Sequence, residues 1–206
     1  MESFWQELLS DVNTEFSVAV LDEQHSEKDL FAEHIRKQWK QKPDARCDLS
    51  VRRVRITRHS GLFVHSIWEK SVKGRLLYEI KADEQMVQRF ANEVGQLINE
   101  VLGCNLRKGG WALATTPRRR HKEKNFATQV CELLAVKLDI PFYEDVALAL
   151  NTDRVHPDFV LNNCPQETNI VMFDDIVTTG RTLEYTCALL TEKGKNVVNF
   201  VGINNG

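Results

Sequence analysis

Residues Asn169–Thr182 read NIVMFDDIVTTGRT, an order of residue types that suits recognition of a phosphorylated sugar. The apolar run Ile170 to Phe173 fits a central, fully buried strand. Two acids, Asp174 and Asp175, follow it at once. Adjacent carboxylates at a strand end can accept hydrogen bonds from a vicinal diol, such as two ribose hydroxyls. Then come Thr178, Thr179, Gly180, Arg181 and Thr182, and after them a helical stretch, Leu183 to Lys193, ended by Gly194. A turn rich in Thr and Gly at a helix N-terminus offers hydroxyls, N–H groups and the positive end of the helix dipole to a phosphate. Gly180 lets the backbone come close to the anion. The competing reading is a plain strand–turn–helix with Asp and Thr as caps. An isolated Thr-Thr-Gly would favour that reading; the complete register of apolar run, acid pair and turn favours the ligand.

A second group of residues can handle phosphate. Trp111 to Thr115 is a short apolar run after Gly109 and Gly110, as in a buried strand, and Thr116 and Pro117 open a turn that carries Arg118, Arg119, Arg120, His121, Lys122 and Lys124. Guanidinium forks match the oxygens of a phosphate. Taken alone, the run reads equally well as a solvated basic loop or a nucleic-acid patch. A third basic cluster, Arg52, Arg53, Arg55, Arg58 and His59, reads as a solvated strand face before it reads as a contact to nucleic acid or phosphate. The aromatic residues Trp5, Trp39, Phe63 and Trp68 are taken as core rather than as stacking platforms for a base.

The elements that must position these groups follow from periodicity. Val87, Phe90, Val94, Leu97 and Val101 step by three and four, so Glu84 to Leu102 is an amphipathic helix, stopped at Gly103. Phe126, Val130, Leu134 and Leu138 mark a second helix, ended by Pro141, and Phe142 to Leu150 holds a strand. Val197 to Ile203 is the last strand. From Trp111 onward the order is strand, helix, strand, irregular segment, strand, helix, strand, which requires parallel crossovers and an α/β sheet. In such a sheet ligands bind beyond the carboxyl ends of the strands. Upstream, Phe4 to Val12 and Asp29 to Trp39 show helical patterns, and Arg53–Thr57 with Leu62–Trp68 across Gly61 suggest a hairpin. Leu76 to Ile80 reads as a short strand or a helix start. Residues 1–75 are therefore taken as an extension or hood, helical with a β-hairpin, and residues 76–206 as the core.

The run from Asn169 to Thr182 resembles the motif that binds phosphoribosyl pyrophosphate (PRPP) in type I phosphoribosyltransferases: an apolar strand, two acids, and a Thr-Gly loop ending in Thr. The resemblance implies a parallel sheet flanked by helices and transfer of ribose 5-phosphate from PRPP to a base or amine. It implies that Asp174 and Asp175 hold the ribose 2- and 3-hydroxyls as the catalytic pair. Thr178, Thr179, Gly180, Arg181 and Thr182 would then hold the 5-phosphate. The family often has a small residue where this chain has Arg181. Thr116, Pro117, Arg118 and Arg119 would bind pyrophosphate. Mg²⁺ would bridge pyrophosphate and ribose oxygens, with Asp174 and Asp175 as its protein contacts. Asn151 to Asn163 lies where family members have a closing lid, with Arg154 and His156 as its candidates. The layout from Leu76 to Gly206, Lys81 included, is similar to the ComF-like branch. Members of that branch commonly begin with a cysteine-rich zinc module, whereas residues 1–75 here contain only Cys47.

Composition excludes other classes. Apolar content of 42% and charged content of 27% describe a folded domain, and a net charge of −2 gives no bulk attraction to nucleic acid or anionic membrane. The five cysteines lie at no metal-ligand spacing. The N-terminus has neither the pattern of a signal peptide nor that of a membrane helix, so a cytoplasmic protein is expected. The expected partners are PRPP and an acceptor that the sequence does not identify. Nucleic acid is not expected, and a homodimer is compatible with the reading. Two alternatives stand beside the transferase: a PRPP-sensing regulator without catalysis, and a ComF-like nucleic-acid accessory protein.

Overall fold

The computed structural model describes residues 45–117, 125–150 and 158–206. The chain divides into two compact units, Met1–Pro43 and Asp44–Gly206. The helical patterns at Phe4–Val12 and Asp29–Trp39 lie outside the described residues, and every described element belongs to the second unit.

Ten strands and five helices are found among the described residues. Strands β1 (Arg46–Cys47), β2 (Arg55–His59), β3 (Leu62–Ser71) and β4 (Arg75–Leu76) precede helices α1 (Leu77–Ala82), α2 (Glu84–Leu102) and α3 (Cys104–Arg107). Next in the chain are β5 (Trp111–Thr115), α4 (Phe126–Leu138), β6 (Phe142–Tyr143), β7 (Ala147–Ala149), β8 (Phe159–Leu161), β9 (Asn169–Val177), α5 (Arg181–Glu192) and β10 (Asn196–Asn204). The main sheet runs β4-β1-β3-β10-β9-β5-β6, with β2 on β3. Pairing is parallel from β3 through β10, β9 and β5 to β6, and antiparallel where β1 and β2 join β3 and where β1 joins β4. The expected α/β class, a parallel sheet flanked by helices, is observed from β3 to β6, and the antiparallel strands β1, β2 and β4 make the whole sheet mixed. A separate antiparallel pair joins β7, just before the segment assigned to the lid, to β8, which lies within that segment.

Helices cover both faces of the sheet. One apolar cluster joins Phe90, Val94 and Leu97 of α2 and Val130 and Leu134 of α4 to Val171, Phe173 and Phe200. The other joins Leu183, Cys187 and Leu190 of α5 to Ile170, Met172, Val64 and Val201. Caps fix the helix ends. Asp83 accepts from the N–H of Gln85 at 2.9 Å, and Asn125 accepts from Thr128 N–H at 2.7 Å.

Two features differ from the sequence-based expectation. The hairpin strand β3, read as part of the extension, is hydrogen-bonded in parallel to β10 in the middle of the sheet. Strand β9 does not stop at Phe173 but runs on to Val177, because β10 is equally long and pairs with it as far as Asn204. The acids therefore lie within the strand and not just beyond it.

Candidate ribose-phosphate site

Side chains of a regular strand alternate between faces. In β9, Val171 and Phe173 face the α2–α4 cluster while Ile170 and Met172 face the α5 cluster. Beyond the acids the order is reversed: Ile176 packs on the first cluster and Val177 in the second. The alternation slips by one residue at Asp174–Asp175. The same slip occurs in β10, where Phe200 and Ile203 share a cluster, and in β3, where consecutive Ile67 and Trp68 do. Register passes from Val201↔Asp174 to Ile203↔Ile176 with no pair at Gly202. Three neighbouring strands are thus creased at one level, and the crease carries the acid pair.

Gly202 explains how the crease packs. A Cβ there would lie 2.3 Å from Phe90 Cε1 and 3.0 Å from the Asp175 carbonyl oxygen. Only glycine lets α2 press its phenyl ring onto β10 at this point. No sequence periodicity announces this contact, which joins residues far apart in the chain.

The charges at the crease are tightly arranged. Lys81, in the last turn of α1, places Nζ 2.6 Å from Asp175 Oδ2. Asp174 Oδ1 accepts from the Asp175 N–H at 2.9 Å. Burial of the Asp174 carboxyl, and next the negative charge of Asp175, push it up to about 7, partly offset by Lys81, the Asp175 N–H and the Thr116 hydroxyl. Thr116, at the end of β5, is buried and hydrogen-bonds Asp174, so the first of the residues assigned to pyrophosphate stands beside the acids. Pro117 adjoins it and is buried as well. Arg118 and Arg119, with the rest of the basic run to Lys124, lie outside the described residues, as do Arg154 and His156.

After Val177 the chain turns through exposed Thr178 and Thr179 to buried Gly180 at φ +77°, a left-handed conformation that suits glycine. Gly180 is the N-cap of α5 and supplies no side-chain acceptor to the first turn, which holds Arg181 and Thr182. The Arg181 N–H donates to Thr179 Oγ1 at 3.5 Å, and the helix N-terminus carries the polarity that favours an anion. Acids, Thr-Gly turn and helix N-terminus are thus consecutive, and Thr116 is brought to them by the parallel pairing of β5 with β9.

Lys81 was legible only as part of a similar stretch; its ion pair to Asp175 could not be read from the sequence. The basic cluster at the hairpin is largely self-neutralised. Arg52 pairs with Glu93 at 3.1 Å and Glu100 at 3.0 Å, and Arg55 with Glu69 at 2.9 Å. Burial pushes Cys47 to about 11 and Cys187 to about 12, and raises Cys131 well above the usual thiol value, as inert thiols require. All five cysteines are free.

No protein-family model matches the chain. Among curated proteins, Competence protein ComFC of Bacillus subtilis (strain 168) is 24% identical over 129 residues, covering 57% of this chain and 52% of that protein. The chain resembles the ComF-like branch of the type I phosphoribosyltransferases. The aligned part spans about half the length of that ComF-like relative. Solved structures with a similar course include an orotate phosphoribosyltransferase from Aeropyrum pernix, at 17% identity and TM-score 0.43 over 76% of each chain. An adenine phosphoribosyltransferase is 12% identical with TM-score 0.47, over 73% of this chain and 84% of its own.

Among the described residues, no three His, Cys, Asp or Glu side chains are grouped so as to hold a metal ion. The donor set at the crease, two adjacent carboxylates with an ammonium on one of them, fits an ion held chiefly by a ligand's own oxygens. No described helix is long and apolar enough to cross a membrane.

Proposed function

We propose that this chain binds PRPP and transfers its ribose 5-phosphate to a nitrogenous acceptor with release of pyrophosphate. The observation that carries the reading is the crease in β9, which presents Asp174 and Asp175 immediately before a glycine-gated turn and the N-terminus of α5. Diol recognition and phosphate recognition then fall on one continuous stretch of chain.

On this reading the two carboxylates accept the ribose 2- and 3-hydroxyls. Thr178, Thr179, Gly180, Arg181 and Thr182 hold the 5-phosphate with hydroxyl and N–H donors. Thr116 and Pro117 bound the pyrophosphate side, with Arg118 and Arg119 supplying positive charge. In the reaction the C1–O bond to pyrophosphate breaks and its electron pair leaves with the pyrophosphate oxygen. The acceptor's nitrogen lone pair forms the new bond at C1, and the acceptor loses a proton. Positive charge develops on the sugar while negative charge grows on pyrophosphate, so positioning and charge stabilisation carry the catalysis. Mg²⁺, held by substrate oxygens with Asp174 or Asp175, would neutralise the departing pyrophosphate. The lid residues Arg154 and His156 would keep water from C1.

A second reading keeps the binding and omits the turnover. It is favoured by the relative's name, which is that of a competence protein and not of an enzyme. The nucleic-acid alternative is weakened by the ion pairs that occupy Arg52 and Arg55. One experiment separates the first two: calorimetry with PRPP and Mg²⁺, followed by a screen of nucleobases and amines for pyrophosphate release. Binding with release supports the transferase. Binding without release from any acceptor supports the regulator, and absence of PRPP binding removes both.

A further inference from the structure

We propose that the β2–β3 hairpin completes the anion site, and that His59 is a direct contact to the ligand's phosphate monoester. The inference rests on reading Thr178–Thr182 as the phosphate turn. The hairpin tip is docked on that turn. Ser60 Oγ donates to the Thr179 carbonyl oxygen at 3.0 Å, across 119 residues of chain. A Cβ on Gly180 would lie 2.7 Å from His59 Cβ, and one on Gly206 would lie 2.7 Å from both His59 Cε1 and the Thr178 carbonyl oxygen. Asn204 Nδ2 donates to Thr57 Oγ1 at 3.4 Å, which fixes the neighbouring inward residue of β2 as well. The imidazole is wedged between two glycines that leave room for it, beside the three residues that form the turn.

Two polar atoms in this cluster lack partners. His59 Nε2 is buried and has no hydrogen bond, and the same holds for Asn205 Oδ1. Buried polar atoms are normally satisfied, and each exception calls for an explanation. Both orphans belong to residues that touch the phosphate turn, one from the hairpin and one from the end of β10. Asn205 Nδ2 already reaches Thr178 Oγ1 at 3.4 Å. The oxygen and nitrogen of an amide are nearly alike in size, so the group fits either way round. With the amide turned over, Asn205 would accept from the Thr178 hydroxyl and present its N–H groups instead. An imidazole N–H and an amide N–H are both donors suited to phosphate oxygens. A phosphate at the turn offers acceptor oxygens to both donors, and its charge strengthens each hydrogen bond. Arg52 and Arg55 take no part, since both are bound to glutamates.

The test uses ribose 5-phosphate and unphosphorylated ribose as probes, with calorimetry on the full chain. His59→Ala is expected to weaken ribose 5-phosphate binding roughly 10- to 100-fold, the range for loss of a hydrogen bond to a charged group. His59→Gln, which keeps an N–H donor, is expected to recover most of that loss. In the wild-type protein, the ¹⁵N resonance of the His59 imidazole is expected to move with ribose 5-phosphate and to stay still with ribose. This readout needs no variant and stands if His59→Ala fails to fold. Wild-type affinity in His59→Ala, or an unmoved imidazole resonance at saturation, overturns the proposal. If the folded wild-type chain binds no ribose 5-phosphate, the phosphate turn itself is misassigned. If it binds, and Asp174→Asn with Asp175→Asn abolishes binding while His59→Ala does not weaken it, only the hairpin's role fails.

Discussion

The outer hairpin with its flanking arginines and the crease in β9 both concentrate charge, and they treat it in opposite ways. At the hairpin, Arg52 meets Glu93 and Glu100, while Arg53 and Arg55 both meet Glu69. Arg52 and Arg55 are a third to a half exposed, so water screens their pairs and each is worth little. At the crease two like charges are consecutive and share one ammonium, Lys81. The hairpin's paired charges are settled within the folded chain. The crease sets two carboxylates against one ammonium, a crowding that a proton on Asp174, a ligand or a cation relieves, as at many binding sites.

That contrast can be broken or sharpened by substitution. The largest effect is expected from Asp174→Asn with Asp175→Asn, which removes both negative charges and one acceptor oxygen from each side chain while conserving shape. Binding of PRPP with Mg²⁺ should fall by about 100-fold or more in calorimetry, since each lost hydrogen bond to a charged acceptor is worth ~1.5–3 kcal/mol. Unchanged affinity would sink the site assignment. Next comes Lys81→Met, which leaves Asp175 beside Asp174 with no counter-charge. Chemical denaturation at neutral pH should show a loss of about 1–3 kcal/mol, with Lys81→Arg retaining most of the stability.

A smaller effect of opposite sign is expected from Asp174→Asn alone in the absence of ligand. The folded carboxyl is raised from 3.8 to about 7, so the unfolded chain gives up this proton first as pH increases. Wild-type stability therefore declines as pH rises from near 4 to near 7, and then levels off. The variant lacks that decline. It should be more stable than wild type at pH 8, with the gap closing below pH 4, when unfolding is followed across pH. A constant gap at every pH would show that Asp174 ionises normally. The smallest effect belongs to the hairpin: Arg55→Ala should change stability by no more than ~0.2–1 kcal/mol and leave PRPP affinity unaltered. A large loss of affinity there would mean that the hairpin arginines are not settled charges after all.

Much of the site was legible because it is local. Ile170 to Phe173, the acid pair and the Thr-Gly turn are consecutive, so strand, carboxylates and helix start could be read from one segment. The α2 and α4 stripes were equally plain, since period alone marks an amphipathic helix. What escaped the sequence depends on contacts across long separations. The extension of β9 to Val177 is set by the length of β10. The crease is set by Gly202 yielding to Phe90 from α2. The incorporation of β3 into the central sheet and the docking of Ser60 on Thr179 join residues that no window of sequence contains. Lys81 was visible as a residue and invisible as a partner, because the turn between α1 and α2 decides where its ammonium goes.

The phenyl ring of Phe90 has a further consequence. It lies 4.7 Å from the Trp68 ring and 5.0 Å from that of Phe126, centre to centre. Trp68 belongs to β3, Phe90 to the helix pressed on the crease, and Phe126 opens the helix that comes after the basic run. Trp68 is 1% exposed, so its emission is shielded from solvent quenchers and governed by its neighbours. A buried indole is thus coupled, through one shared ring, to the creased strand β10 that pairs with the strand bearing the acids.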